Sequence, residues 1–172
     1  YHNFEFNERM IKTNIWDTVG QEKYKSMNKQ FYNKAHGALL VADISGYINE
    51  DNLHFWIQDI QKVAGTEVCI ILTGNKADKE PNQATVEILE RFAEEYKIPF
   101  CMTSAALGTN VNETMDLLVN MIAEKYLVNG AGTRENDDDD EEEESEDLKR
   151  TVISVSSHTK NNKDKQKCCL GC

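Results

Sequence analysis

Val68-Cys69-Ile70-Ile71-Leu72, leading into Asn75-Lys76-Ala77-Asp78, is the stretch that decides the fold. An unbroken apolar, β-branched run of this length reads as a strand buried on both faces, as in a parallel sheet covered by helices. An amide, an ammonium and a carboxylate then stand at the strand end, where open α/β sheets bind their ligands. An amide beside a carboxylate suits the polar edge of guanine. The amide can serve the ring carbonyl or N7, and the carboxylate can accept from the ring N–H and the exocyclic amine. A site that pairs such an edge rejects bases lacking those groups. The same four residues taken alone also describe an Asn/Asp-rich turn, so the surrounding chain has to decide.

Working outward, Gly37 to Ile44 is a second nearly continuous apolar run. Between the two runs, Leu53, Trp56, Ile57, Ile60 and Val63 recur at helical spacing after the acidic start Asn49-Glu50-Asp51, which predicts a helix. Thr85 to Tyr96 carries Val86, Leu89, Phe92 and Ala93 on one helical face, and Ile98 to Met102 reads as a third short strand. A last helix is predicted from about Asn112 to Leu127, with Val111, Met115, Leu118, Val119 and Ile122 in one stripe. Upstream, Phe4-Glu5-Phe6 and the extended run Met10 to Trp16 flank a turn at Asn7-Glu8 and predict a hairpin. A polar segment follows from Gln21 to about Lys34. Strand alternating with helix predicts an α/β fold, a mostly parallel sheet with helices on both faces, over residues 1–130. Residues 131–172 are polar and charged without periodicity, and the expectation there is a disordered tail.

The formal net charge of −11 sits in one place, because residues 135–147 hold eleven acids and no Lys or Arg. The folded part is therefore near neutral, its acidity says nothing of its ligand, and no nucleic-acid partner is expected. Of five cysteines, Cys69 and Cys101 lie in strand-like runs and Cys168, Cys169 and Cys172 at the end. That distribution fits neither a metal site nor a disulfide framework and suits a reducing compartment. No apolar run is long enough for a membrane-spanning helix.

Three strand-end motifs stand in order: Asp17-Thr18-Val19-Gly20-Gln21, Asn75-Lys76-Ala77-Asp78 and Thr103-Ser104-Ala105. Their identity, order and spacing resemble the small GTPases, and most closely the Rab family. Ile15-Trp16-Asp17-Thr18, Phe31-Tyr32-Asn33-Lys34-Ala35-His36-Gly37 and Val41-Ala42-Asp43-Ile44-Ser45 resemble further Rab segments. The resemblance implies roles. Asp17 would hold Mg2+ through water, as the carboxylate at the end of a buried strand. Gly20 would bring its N–H to the γ-phosphate and Gln21 would orient the attacking water, as the catalytic residue. Asn75 and Asp78 would read guanine of GTP or GDP, Lys76 would lay its stem along the ring, and Ser104 and Ala105 would close the pocket, Ala105 by its backbone N–H. Trp16 and Phe31 would belong to a face touched by effectors.

The chain departs from the family pattern in one major respect. Nowhere in the 172 residues is there a Gly-x-x-x-x-Gly-Lys-[Ser/Thr] loop, whose amides, lysine and hydroxyl cradle phosphates and metal. The chain starts at Tyr1 rather than Met. The expectation is an N-terminally truncated small GTPase lacking its first strand, phosphate loop and first helix, with a gap in the sheet exposing a raw edge. The alternative is a non-catalytic pseudo-GTPase that binds effectors or prenylation machinery without nucleotide. Two smaller departures are Val19, bulkier than the usual Ala, and Ala106 in place of Lys.

In the tail, Lys160, Lys163, Lys165 and Lys167 precede Cys168-Cys169-Leu170-Gly171-Cys172. The terminus 168–172 is similar to a Rab prenylation signal on Cys168 and Cys169; Cys169 to Cys172 also has the length of a C-a-a-X box. The resemblance implies a membrane-attached switch in vesicle transport, on the cytoplasmic face of intracellular membranes and cycling with the cytosol. Its implied partners are effectors, exchange factors, GTPase-activating factors and the prenylation machinery.

Overall fold

The computed structural model describes residues 2–18, 32, 33, 35–128 and 151–158. Within them the chain forms strands β1 (His2–Phe6), β2 (Arg9–Thr18) and β3 (Gly37–Asp43), helix α1 (Glu50–Ala64), β4 (Cys69–Asn75), α2 (Gln83–Tyr96), β5 (Phe100–Met102), α3 (Val111–Ala123), a π-helical turn (Glu124–Val128) and β6 (Thr151–His158). The six strands make one sheet in the order β1-β2-β6-β3-β4-β5. Only the β1–β2 hairpin is antiparallel; β2–β6, β6–β3, β3–β4 and β4–β5 are parallel. The α/β class expected from the sequence is the observed one.

Alternation along the central strands divides the core into two layers. Ala38, Leu40 and Ala42 of β3 and Ile70 and Leu72 of β4 pack with Leu53, Trp56, Ile57 and Ile60 of α1 and Val86, Leu89 and Phe92 of α2. Leu39, Cys69 and Ile71 point the other way, with Ile11 of β2, onto Leu118, Val119 and Ile122 of α3. This is why the runs in β3 and β4 carry no polar alternation: both faces are dry. A Cβ on Gly37 would stand 2.6 Å from Ile122 Cδ1, so the absent side chain lets α3 lie close against the start of β3.

The helix ends follow local chemistry. Asn49 accepts from the Asp51 N–H at 3.0 Å, and Glu50 and Asp51 complement the positive end of α1. Asn82 caps α2 by accepting from the Thr85 N–H at 3.2 Å. Helix α2 stops where Lys97 turns left-handed (φ 53°) and its N–H reaches back to Ala93 and Glu94. The last helix expected to run on to Leu127 is α-helical only to Ala123 and widens into the π turn beyond.

Two expectations are corrected by β6. Thr151–His158 lies in the segment for which no regular structure is expected, yet it is a strand. It runs parallel between β2 and β3, with Ile153 opposite Ile15 and Gly37, and Val155 opposite Asp17 and Leu39. The sheet is therefore continuous where a gap and a raw edge were expected. The segment carries Thr151, Val152, Ile153 and Val155, a β-branched composition suited to a strand. It is short, and serines break it after every one or two apolar residues, so its signal was lost beside the acidic run.

Candidate functional site

All five parallel strands end on the same side, and Asn75–Asp78 and Thr103–Ala105 lie on that carboxyl edge, after β4 and β5. Asn75 closes β4, and Lys76 follows in the left-handed region at φ 71°. That conformation is costly for a residue with a side chain. It is held by a turn in which the Lys79 N–H donates to the Lys76 carbonyl at 3.0 Å. The turn carries the chain away from the sheet and leaves Asn75, Lys76 and Asp78 together at the rim.

Gly74 makes the close packing beneath them possible. A Cβ there would meet Ile44 Cγ2 at 2.7 Å and the Phe100 ring at 3.1 Å. The loop after β5 is stitched to the loop after β4 through the backbone. Thr103 N–H donates to the Gly74 carbonyl at 2.9 Å, and Ala77 N–H to the Thr103 carbonyl at 2.9 Å. Side chains add a second set of stitches. Ser104, buried, donates its hydroxyl to Asp78 Oδ1 at 2.6 Å and accepts from the Leu107 N–H at 3.2 Å. The Ala105 N–H donates to Asn75 Oδ1 at 3.0 Å.

These bonds fix the chemistry that the rim can offer. With Oδ1 of Asn75 engaged, its amide nitrogen is the end left to donate outward. With Oδ1 of Asp78 held by Ser104, the exposed carboxylate keeps acceptor capacity toward solvent. The Ser104 hydroxyl, then the Asp78 backbone N–H, hold the Asp78 carboxyl below its usual value, so it is an anion and a pure acceptor near neutral pH. A donor amide beside an acceptor carboxylate is the complement of a carbonyl next to an N–H and an amine, the pattern along one edge of guanine.

The Ala105 N–H, expected from the sequence to close the base pocket, donates to Asn75 Oδ1 in this structure. Asp43, at the end of β3, is not among the site residues expected from the sequence. The Lys76 ammonium donates to Asp43 Oδ2 at 2.5 Å, while Ser45 donates to Oδ1 through its N–H at 2.9 Å and its hydroxyl at 2.7 Å. Burial acts to raise the Asp43 carboxyl, but Lys76 and Ser45 outweigh it and hold it below the ordinary value.

Asp17 is exposed near the end of β2. Through the register it lies level with Val155, Leu39 and Ile71, four residues before Asn75 and three strand spacings away, roughly 14 Å across the sheet. The structure thus does not bring Asp17 into the Asn75–Asp78 cluster: it lies near the end of β2, set back from the ends of β3 and β4 by four residues. Among the described residues no three His, Cys, Asp or Glu side chains converge as a metal cage. One carboxylate suits an ion such as Mg2+ that keeps most of its waters and takes further oxygens from phosphate. Trp16, beside it, is 46% exposed. Gly20, Gln21, Phe31, Cys168 and Cys169 lie outside the described residues. Cys69 is buried against α3, and burial pushes its thiol up, which makes it a packing residue rather than a nucleophile.

The fold is thus a mostly parallel sheet covered on both faces, with an amide–lysine–carboxylate cluster braced at its carboxyl edge. The family model "Ras family" matches residues 1–124. Ras-related protein RabG2 of Dictyostelium discoideum is 34% identical over 73% of this chain and 64% of its own length. Ras-related protein Rab-26 of Mus musculus is 39% identical over 67% of this chain and 43% of its own. Ras-related protein Rab-2B of Dictyostelium discoideum is 37% identical over 69% and 59%. The matched region thus spans less than two thirds of each of these relatives. The chain belongs to the Ras family, and within it to the Rab-like small GTPases.

Proposed function

We propose that this protein recognises guanine nucleotides through the edge formed by Asn75, Lys76, Asp78 and Ser104, and works as a Rab-like switch. The observation that carries the proposal is the double brace, Ser104 on Asp78 at 2.6 Å and Ala105 on Asn75 at 3.0 Å. A polar edge held in place before the ligand arrives loses little freedom on binding. Asp78 accepts from the ring N–H and exocyclic amine, the Asn75 amide meets the carbonyl or N7, and the Lys76 stem covers the ring.

In this reading GTP is bound and hydrolysed. Asp17 contributes a carboxylate to Mg2+, which neutralises phosphate charge when bound, Gly20 approaches the γ-phosphate and Gln21 orients water. Trp16 and Phe31 form the face that effectors touch, and exchange and GTPase-activating factors act on the same edge. Lipid on Cys168 and Cys169 attaches the protein to the cytoplasmic face of intracellular membranes, where it serves vesicle transport. Among the described residues no helix is long and apolar enough to cross a membrane, and two lipid chains suffice for stable attachment.

The test is competition for a fluorescent guanine nucleotide on the full chain, with GDP, IDP and ADP as competitors. The expected order is GDP tighter than IDP, which lacks the exocyclic amine, with ADP far weaker. Equal competition by all three would refute edge recognition. A chain that binds effectors but none of the nucleotides would instead be the non-catalytic scaffold. The position of β6 between β2 and β3 favours that second reading to this extent: the strand leads into Thr159-Lys160 rather than a glycine-rich loop.

A further inference from the structure

We propose that Asp43 is a positioning residue for base binding: it pins the Lys76 ammonium so that the lysine stem is laid out as a preformed face for the base. The inference rests on the guanine reading above and adds to it a residue from a different strand. Lys carries a strongly hydrated point charge on a flexible four-carbon stem. Left in solvent, that stem samples many rotamers, and each must be given up when a ring packs on it. Here both ends are fixed. The Cα end sits in the left-handed turn at φ 71°, and the ammonium is bound to Asp43 Oδ2 at 2.5 Å.

The anchor is itself anchored. Asp43 lies directly opposite Asn75 in the β3–β4 register, so the pin and the edge reader ride on one rigid pair of strands. Its second oxygen takes both the Ser45 N–H and the Ser45 hydroxyl. The loop beyond is fastened back to the neighbouring strand and helix. Ile44 N–H donates to the Asn75 carbonyl at 3.1 Å, and Thr85 Oγ1 donates to the Gly46 carbonyl at 2.7 Å. As a stability device the pair is poorly placed, because the Lys76 and Asp43 side chains are 34% and 25% exposed, and pairs reached by solvent add little. As an orienting device it is well placed, since its effect falls on a side chain that stands between the edge reader and the β3 loop.

The test joins two readouts on the full chain. Acetylation of Lys76 by acetic anhydride, followed by mass spectrometry of its peptide, reports how tightly the ammonium is held without any nucleotide. In Asp43→Asn the Lys76 rate should rise about two- to fivefold, the range of a partly exposed ion pair, with the Lys79 rate unchanged as internal control. Ser45→Ala, which keeps the Asp43 charge but removes one anchor, should give a smaller rise and guards against misfolding of the first variant. In competition with fluorescent guanine nucleotide, Asp43→Asn should weaken GDP and IDP by the same factor. A ring-face contact does not sense the exocyclic amine, whereas Asp78→Asn should weaken GDP more than IDP. An unchanged Lys76 rate would overturn the pin. A raised rate with unchanged GDP and IDP binding would make the pair merely structural and leave guanine recognition standing. Failure of the unsubstituted chain to bind GDP or IDP would remove the guanine reading, and the base-positioning role with it.

Discussion

At the β3–β4–β5 end of the sheet, Asn75, Lys76, Asp78 and Ser104 each hold a partner on another segment, whereas at the β1–β2 end Asp17 stands exposed beside a half-exposed Trp16. The first end is backed by both core layers, α1 and α2 on one face and α3 on the other. The second is a hairpin whose Met10, Ile15 and Trp16 are 52%, 45% and 46% exposed. The difference fits the two roles proposed for these ends. A rigid, internally bonded edge is suited to choosing a ligand, because selectivity depends on groups that stay put. An exposed edge with apolar side chains is suited to meeting a partner.

The comparison can be broken by substitution. The largest effect is expected from Phe92→Ala, since Phe92 is fully buried and packs against His54 and Tyr96. It should cost about 3–5 kcal/mol in denaturant unfolding; a loss as small as that of a surface change would mean the ordered end is not the stable core. Next comes Gly74→Ala. The new methyl meets Ile44 and Phe100, so about 1–3 kcal/mol of stability should go. Because Asn75 is the next residue, guanine affinity should fall as well.

A smaller effect should appear in acid. The Asp43 and Asp78 carboxyls both lie below the ordinary aspartate value of 3.8. A depressed carboxyl stabilises the fold above its unfolded value, and that contribution is lost as pH falls through the folded value. Unfolding midpoints should therefore be insensitive to these groups from pH 7 to 5 and drop only below about pH 4. Asp43→Asn should flatten that acid limb. The smallest effect on stability is expected from Trp16→Ala, within about 0.5 kcal/mol as for surface changes generally. Pull-down of partner proteins with the same variant should fall, which would separate the end proposed to meet partners from the end proposed to read the base.

Much of this contrast was legible in the sequence. The apolar runs of β3 and β4 and the stripes of α1, α2 and α3 could be read because a buried face repeats with the period of its element. Every member of the stripe Val86, Leu89, Phe92, Ala93 is buried. Asn75, Asp78 and Ser104 were legible as ordered motifs at strand ends. The Asp43–Lys76 pair was not, because nothing local links residues 33 apart; only the strand register makes them neighbours. Gly74 was passed over because the close approach it permits, to Ile44 and Phe100, is tertiary. Strand β6 escaped because polar residues interrupt its short apolar pattern.

The most direct test of the central claim is to exchange Asp78, the carboxylate proposed to read the base. In the full chain, GDP and XDP are titrated against fluorescent guanine nucleotide for the unsubstituted protein and for Asp78→Asn. Xanthine carries a carbonyl where guanine has its exocyclic amine, so it calls for a donor where guanine calls for an acceptor. The account predicts that the unsubstituted chain prefers GDP, and that Asp78→Asn loses GDP affinity by roughly a hundredfold while gaining affinity for XDP. Equal affinities before and after the exchange would contradict it.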